Sequence, residues 1–389
     1  MSPGKDMNLA DGRKPLPDTM RLWIVFAALR LSNFSLATLR KLLYRVPEDP
    51  SRILVFRTGS LGDNLCAIPS IMAVRKKYPS AQLDILTNAG KANLVTLEKI
   101  LDPAYYDRIV DYFGYPKKDL FRLLRKDKYD LVIYLPQVDI SFFNLARDML
   151  FFRLVSKAGF GWKKSMIPFF RRTQEKYIVF QNEISRLSQL LQLNGIQVKQ
   201  DEFGLYSTDA DEQIVNECFV QNGLTDKNKN IAMVIGAKRP QNRWPLSYFK
   251  EVAGHFNRQY NIILIGGPED SPLAGSLHDL DHVFDFCGRF TPVQSALALK
   301  RCILTLSNDT GPMHLSYSVR TPTIALFSSR DMPGKWYPPQ GDKNKVFRTE
   351  RVPCSVCFSE TCNNNVCMKA IMPSAVIQAM EEIIYTINQ

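Results

Sequence analysis

Short apolar runs alternate with longer amphipathic stretches along most of this chain. RILVFR (52–57) has the pattern of a buried strand, and a helical pattern follows it until Pro79. AQLDILT (81–87) and DLVIYLP (130–136) repeat the strand pattern, with helical stretches between them. Strands that alternate with helices predict a parallel sheet covered by helices on both faces, so we expect an α/β fold.

The same alternation starts again near residue 230, which indicates a second unit of the same kind. Between the two units, an amphipathic helix is predicted over 182–196, ending at a glycine C-cap, and the polar stretch 206–213 is the predicted linker. We therefore expect two Rossmann-like domains, 51–205 and 206–389, that face each other across a cleft. Ligands of such sheets bind beyond the carboxyl ends of the strands.

The first 50 residues (1–50) differ from the rest. Residues 1–20 are polar and rich in Pro, Gly and charge, which predicts a flexible leader. The apolar run 22–29 is too short to cross a bilayer, which takes about 20 residues, and no convincing signal cleavage site follows it. A helix through 21–46 would gather its basic residues on one side. These are Arg30, Arg40, Lys41 and Arg45. Such a helix either lies on an anionic membrane or packs on protein.

The net charge of the chain narrows the classes of binding partner that we expect. The chain of 389 residues has 50 Lys and Arg against 38 Asp and Glu, a net charge of +12. This excess favours anionic partners such as nucleotides, phosphorylated glycolipids or an anionic membrane. Nucleic acid is not expected, because no finger, RNP or helix-turn-helix pattern is present. The expectation is a cytoplasmic protein, with the inner-membrane surface as one candidate partner.

The loop in FRTGSLGDNLCAIP (56–69) joins the first predicted strand to its helix. Gly59 and Gly62 allow a tight turn and a close approach to a ligand. Their G-x-x-G spacing does not match the G-x-G-x-x-G dinucleotide fingerprint. Asp63 stands where the helix should begin, so it is either a helix N-cap or a residue that does chemistry in the cleft.

A second strand-to-helix loop lies in LSNDTGPMHL (306–315). Pro312 favours a helix start here, which would direct the backbone N–H groups of Thr310 and Gly311 and the positive end of the helix toward the cleft. That arrangement suits a phosphate or pyrophosphate. His314, which follows in the same helix, is a further candidate donor-binding residue. The alternative is an ordinary helix start with a buried, hydrogen-bonded His314.

Two further loops follow strands of the second unit. The loop in GAKRPQNRWP (236–245) is either a phosphate clamp or a solvated basic loop. Its basic residues are Lys238, Arg239 and Arg243. In IGGPED (265–270), Glu269 or Asp270 either accepts hydrogen bonds from ribose hydroxyls or belongs to a plain turn.

Two of these regions resemble a known family. RILVFRTGSLGDNLCAIPSIMAVRKKYPSAQLDIL (52–86) and SNDTGPMHLSYSVRTPTIALF (307–327) are similar to the signature regions of the bacterial ADP-heptose heptosyltransferases and the wider glycosyltransferase family 9. The resemblance covers about 52–375. It implies a GT-B fold and inverting transfer of a heptose or related sugar from a nucleotide-activated donor, ADP-heptose first, to a lipopolysaccharide core or other glycan. It also implies that catalysis needs no cofactor.

The resemblance also implies roles for individual residues. Asp63 matches the aspartate taken to be the general base, and inverting transfer requires such a base together with stabilisation of the departing nucleoside diphosphate. Thr310 and Gly311 match residues whose backbone holds the donor pyrophosphate, and Asp309 matches a residue that faces the donor sugar. The acceptor would bind the first domain and the donor the second.

One position departs from the family pattern. NRWP (242–245) matches a K-R-W-P element whose lysine meets the phosphates, but this chain has Asn242 there. We therefore expect Arg243 or Lys238 to contact the phosphates instead. The glycines of IGGPED match the nucleoside-side loop, where Glu269 is the candidate for the ribose.

Other functions stay open at this point. The acceptor could be a protein, or the chain could bind a nucleotide sugar without catalysis. A Rossmann oxidoreductase or epimerase is disfavoured, because the G-x-G-x-x-G fingerprint and a Tyr-x-x-x-Lys pair at a cleft loop are both missing.

The segment CSVCFSETCNNNVCM (354–368) is rich in cysteine. Its thiols belong to Cys354, Cys357, Cys362 and Cys367. Four thiolates can hold a tetrahedral Zn or Fe ion in a structural role, although the second pair is spaced more widely than in a zinc ribbon. One or two disulfides and free thiols are the alternatives, and a cytosolic location disfavours disulfides.

Overall fold

A computed structural model describes residues 18–45, 49–88, 95–165, 179–339, 341, 343–350 and 352–389. Most of the predicted leader, residues 1–17, lies outside this described part.

Two parallel sheets form the framework of the molecule. The first has the order β3-β2-β1-β4-β5 and the second the order β11-β10-β9-β6-β7-β8. The strands are Arg52–Phe56 (β1), Gln82–Thr87 (β2), Arg108–Asp111 (β3), Leu131–Tyr134 (β4), Gly159–Phe160 (β5), Asn230–Val234 (β6), Asn261–Leu264 (β7), Val283–Asp285 (β8), Leu304–Asn308 (β9), Thr323–Leu326 (β10) and Asn344–Phe347 (β11). In each sheet the chain order reverses beside the first strand, which is the topological switch point where such folds bind ligands. The predicted α/β architecture of two Rossmann-like units is confirmed.

Helices cover both faces of the sheets. They span Asp18–Leu43 (α1), Leu61–Lys77 (α2), Lys117–Lys126 (α3), Phe142–Arg153 (α4), Glu183–Gln192 (α5), Asp209–Gln221 (α6), Leu246–Phe256 (α7), Ser271–Ala274 (α8), Pro292–Lys300 (α9), Gly311–Ser318 (α10), Val366–Lys369 (α11) and Pro373–Ile387 (α12). No helix in the described ranges is both long and apolar enough to span a bilayer.

The central strands are buried on both sides, which explains their continuous apolar sequences. Residues 53–56 of β1 are all buried, and so is the whole of β4. One face of the first sheet packs on α2 and α5. The other face packs on α1, α3 and α4 through a core that includes Leu36, Leu120 and Met149.

Two local expectations need correction. The predicted linker 206–213 is helical from Asp209, because Thr208 caps α6 and Val215 joins the core. The predicted helix 21–46 ends at Leu43, so Arg45 lies beyond it. The backbone of Arg45 instead pairs with the chain beside the first sheet, its N–H donating to the carbonyl of Lys157 at 2.9 Å.

Candidate active site

A cleft of about 590 Å³ opens between the carboxyl ends of the two sheets. Loops after β1 and β4 supply one wall, with Gly62, Asp63, Gln137 and Asp139. Loops after β6, β9 and β10 supply the opposite wall, with Lys238, Arg239, Asp309, Thr310, Arg330 and Lys335. The two loops with the strongest sequence signals therefore face each other.

Asp63 is both a capping residue and a cleft residue. Ser60 is the N-cap of α2, and Asp63 is the third residue of the helix rather than its cap. The Asp63 Oδ2 atom accepts from the Ser60 backbone N–H at 2.9 Å and from the Ser60 hydroxyl at 2.7 Å. Its side chain remains 19% exposed and lines the cleft. The two roles considered for Asp63 are thus compatible.

Arg57 fixes the loop of Asp63 from its buried side. It directly follows β1 and is completely buried. Its Nη2 atom lies 3.4 Å from Asp63 Oδ1 and 3.1 Å from Glu183 Oε1, and its Nη1 atom donates to the carbonyl of Pro136 at 3.1 Å. Arg186 forms a second ion pair with Glu183 at 2.6 Å. This network was not predicted from the sequence, although a charged residue at the end of a buried strand was a usable signal.

Gly59 and Gly62 each occupy a position where a side chain would collide with a neighbour, and the neighbour differs between the two. A Cβ atom on Gly59 would lie 2.2 Å from the Cβ of Asp63, so a side chain there would displace the aspartate. A Cβ on Gly62 would lie 2.9 Å from His314 Nε2 on the opposite domain. Gly59 therefore accommodates Asp63, and Gly62 allows the two domains to approach each other.

His314 is buried where the two domains meet. Its Nδ1 atom lies 2.7 Å from the hydroxyl of Tyr317 and 3.8 Å from the thiol of Cys66 in α2. Burial lowers the pKa of His314 to about 4, while the nearby Asp63 carboxylate acts in the opposite direction. The imidazole is therefore neutral at pH 7.

The turn after β9 presents Asp309, Thr310 and Gly311 to the cleft. Thr310 is the N-cap of α10, and Pro312 lies in its first turn, as predicted. A Cβ on Gly311 would lie 2.8 Å from Leu61 Cδ2, so packing against α2 accounts for this glycine.

Asn242 holds Asp309 in place. The Asn242 amide donates to Asp309 Oδ2 at 3.0 Å and accepts from the Ser328 hydroxyl at 2.8 Å. Burial raises the pKa of Asp309 to about 7, and the negative charge of Asp331 adds to this rise. The position that departs from the family pattern thus orients an acidic residue of the cleft.

The basic residues of the cleft match the predicted ones only in part. Lys238 lines it, but Arg243 is not among the lining residues, and its Nε atom donates to the carbonyl of Ala237 at 2.9 Å. Glu269 is exposed on a short turn and is also outside the lining. Arg330 and Lys335 line the cleft without having been predicted. Their position after β10 was the available signal.

Acidic side chains form ion pairs with three basic residues of the cleft, Arg239, Arg330 and Lys335. Arg330 Nη2 lies 3.0 Å from Glu360 Oε1, and Arg239 Nε lies 3.7 Å from the other carboxylate oxygen of Glu360. Lys335 Nζ lies 2.9 Å from Asp139 Oδ2 across the cleft. Burial alone would lower the pKa of Lys335, but the carboxylates of Asp331 and Asp139 raise it. Lys335 therefore stays charged at neutral pH, and this group of basic side chains suits an anionic ligand.

The cysteine-rich segment forms part of the same wall, since Phe358 and Glu360 line the cleft. Its thiols are free, with Cys354, Cys357 and Cys362 exposed and Cys367 buried. Within the described ranges, no three His, Cys, Asp or Glu side chains are arranged to hold a metal ion. The described part of the chain therefore gives no support to the predicted structural metal.

The arrangement combines a carboxylate on one wall with cations and a helix start on the other. Asp63 can accept a proton from a hydroxyl group that enters the cleft. Arg239, Arg330 and the N-terminal end of α10 can stabilise an anionic leaving group. This division of charge suits the transfer of a group from a phosphate ester to an alcohol.

Comparison with known proteins supports this chemistry. The model of glycosyltransferase family 9 (heptosyltransferase) matches residues 118–367, more than half of the chain. The lipooligosaccharide heptosyltransferase 2 of Campylobacter jejuni is 26% identical over 177 residues, which are 43% of this chain and 54% of that protein. The chain thus matches about half the length of that relative.

Two solved structures share the fold. The family 9 glycosyltransferase of Veillonella parvula superposes with a TM-score of 0.65 at 21% identity, covering 87% of this chain and 98% of that one. The ADP-heptose lipopolysaccharide heptosyltransferase II of Escherichia coli superposes with a TM-score of 0.60 at 17% identity, covering 87% of this chain and 100% of that one.

Proposed function

Because the chain belongs to glycosyltransferase family 9, we propose that it transfers a heptose or related sugar from ADP-heptose to a lipopolysaccharide core glycan. The observation that supports this most strongly is the cleft itself, in which Asp63 faces the Asp309-Thr310-Gly311 turn. The donor nucleotide is inferred from the E. coli structure, which is described as an ADP-heptose enzyme.

Asp63 is the proposed general base. Its carboxylate would accept the proton of the acceptor hydroxyl as that oxygen attacks the anomeric carbon of the donor. The bond to the diphosphate breaks on the opposite side of the sugar, so the anomeric configuration inverts. Arg57 acts as a positioning residue, because its buried guanidinium holds the carboxylate while the Asp63 side chain still reaches the cleft.

The leaving nucleoside diphosphate would bind the opposite wall. The backbone N–H groups of Thr310 and Gly311, at the positive end of α10, suit the pyrophosphate. Arg239 and Arg330 add two positive charges on the same wall. We propose that these arginines, together with Lys238, supply the charge that the family places at position 242.

We also propose that 51–205 binds the acceptor and 206–389 the donor, with Glu269 near the ribose. Glu269 lies outside the cleft lining in the present arrangement, so this contact requires the nucleoside to extend past the cleft wall. A structural Zn or Fe ion at the cysteine-rich segment stays a prediction from its four thiols, which the described side chains do not bring together around a metal position. Catalysis is assigned to the side chains of the cleft and not to that ion.

Calorimetry with ADP-, GDP- and UDP-sugars tests the donor assignment. We expect ADP-heptose to bind most tightly and to raise the melting temperature, since a ligand that binds only the folded state stabilises it by mass action. A protein that binds none of these nucleotide sugars, while remaining folded, would contradict the proposal.

A further inference from the structure

Helix α1 is apolar on two opposite faces. Val25 and Leu36 are buried against the protein. On the other side, Trp23, Phe34 and Leu42 are 73%, 70% and 79% exposed. A helix on the surface of a protein in water normally has one apolar stripe, with polar residues opposite it. The outer side of α1 therefore carries large apolar side chains where polar ones are expected.

Helix α4 repeats this pattern next to α1. Leu145 and Met149 pack into the core, whereas Phe143 is 80% exposed and Leu154 is 63% exposed. The two helices are in contact, and the hydroxyl of Tyr44, just after α1, donates to the carbonyl of Met149. The exposed apolar residues of α1 and α4 together are called the α1–α4 face. Large apolar side chains exposed on two helices that contact each other mark a candidate interaction site.

The surroundings of this face are basic. After Asp18, helix α1 contains no acidic residue, and Arg30 and Lys41 are exposed among its apolar side chains. Helix α3 lies beside α4, with the rings of Phe121 and Phe151 5.8 Å apart. Its exposed basic residues are Lys117, Lys118, Arg122, Arg125 and Lys126.

Acidic residues neutralise only part of this charge. Asp119 pairs with Arg122 at 3.2 Å, and Asp148 pairs with Arg147 of α4 at 2.7 Å. The remaining cations leave a net positive border around the apolar face. The centre of a protein–protein interface is depleted in charge, whereas lysine and arginine among exposed apolar residues suit a lipid surface, where their heads reach the anionic headgroups.

The α1–α4 face lies next to the acceptor wall of the cleft. Val138 and Asp139 line the cleft, and α4 begins three residues later at Phe142. Phe113 and Tyr115, which follow β3 at the same edge of the sheet, are also exposed. Large apolar side chains therefore border the cleft on the side of Asp63.

We propose that the α1–α4 face docks on an anionic lipid bilayer, with α3 supplying additional charge. Docking would hold the acceptor wall of the cleft close to the lipid surface. This inference rests on the proposed function for one point only, that the acceptor is a glycolipid held in the same bilayer.

Vesicle sedimentation tests the docking surface. The full chain is mixed with vesicles of phosphatidylcholine alone or of phosphatidylcholine with phosphatidylglycerol. We expect binding to the anionic vesicles that weakens with salt. We also expect a blue shift of tryptophan emission, because Trp23 is 73% exposed, whereas Trp162 and Trp244 are buried and Trp336 is partly buried in the cleft lining.

A triple variant, Trp23→Ser, Phe34→Ser and Phe143→Ser, should bind the anionic vesicles at least about tenfold more weakly, since it removes large side chains from the apolar contact. The control variant, Leu193→Ser with Tyr385→Ser, changes equally exposed apolar residues elsewhere and should bind like the parent. Unchanged binding of ADP-heptose shows that the triple variant is folded.

Equal vesicle binding by the parent and the triple variant would overturn the proposal. A dimer in solution that the triple variant disrupts, with no vesicle binding by the parent, would overturn it in favour of a protein interface. Anionic vesicle binding by a parent that binds no nucleotide sugar would support the docking surface and contradict the proposed function.

Discussion

Replacing Asp63 with asparagine removes the proposed base and changes little else. The asparagine side chain has the same shape, and its carbonyl oxygen can still accept from the Ser60 N–H, which lies 2.9 Å from the present carboxylate. We expect transfer to slow by about 10²–10⁴, the usual contribution of a general base. Donor binding should not change, because the donor is assigned to the opposite wall.

The structure also limits how much the free energy of unfolding should fall in Asp63→Asn. Losing one partner of a buried ion pair costs about 3–5 kcal/mol when the remaining charge is left uncompensated. Arg57 keeps Glu183 at 3.1 Å and the carbonyl of Pro136, and its contact with Asp63 is the longer one at 3.4 Å. We therefore expect Asp63→Asn to lower the free energy of unfolding by only about 1–2 kcal/mol.

Helix α6 offers a matched control. Asp211 accepts from the Thr208 N–H at 3.0 Å and from the Thr208 hydroxyl at 2.7 Å, the same capping arrangement as Ser60 and Asp63. Asp211 also accepts from the Gln294 amide at 2.8 Å. Asp211→Asn thus reports the effect of losing the cap charge together with that contact, and it should leave transfer unchanged. Rates are measured with saturating donor, and donor affinity by calorimetry. Near-parent turnover of Asp63→Asn would refute the assignment and leave Asp63 as a capping residue.

Three further predictions concern the second domain. Arg330→Gln should weaken nucleoside diphosphate binding by about 1–3 kcal/mol in calorimetry, with a smaller effect at high salt; equal affinities at low salt would remove Arg330 from the donor site. Burial raises the pKa of Asp309 to about 7, above its unfolded value of about 3.9. The protonated Asp309 carboxyl therefore stabilises the folded state fully below pH 4, and this stabilisation is lost as pH rises through 7. Relative to the parent, Asp309→Asn should therefore gain stability between pH 4 and 7 in chemical denaturation, and a pH-independent difference would contradict this. About one Zn or Fe per chain, lost in a Cys354→Ser, Cys357→Ser double variant, is expected from metal analysis; a metal-free protein with titratable thiols would exclude the ion.

The sequence was most informative where local patterns determine structure. Parallel strands buried on both faces have continuous apolar runs, so β1 and β4 were recognisable. Glycines and a helix-start proline marked the two loops that meet in the cleft, at Asp63 and Gly311. These features depend on neighbouring residues alone, and no long-range contact is needed to predict them.

Side-chain direction and long-range pairing could not be predicted in this way. Arg243 stands in a basic loop, but its guanidinium turns back to the carbonyl of Ala237, a choice set by the folded loop. Arg330 reaches the same cleft from the loop after β10, much later in the chain. The burial of Arg57 depends on Glu183, which folding brings to it from α5.

The spacing of apolar residues in α1 likewise predicted only part of the structure. Apolar residues at helical spacing identify the helix, yet they do not show which face packs on the protein. Only the contact with α4 shows that Leu36 is buried while Phe34 is exposed.

The most direct test of the proposed function is to follow one transfer reaction. The protein is incubated with ADP-heptose and a lipopolysaccharide core that lacks heptose, and the product is examined by mass spectrometry and NMR. We expect addition of a single heptose with inverted anomeric configuration, and loss of this product in Asp63→Asn. Retained anomeric configuration, or no transfer although ADP-heptose binds, would contradict the proposed function.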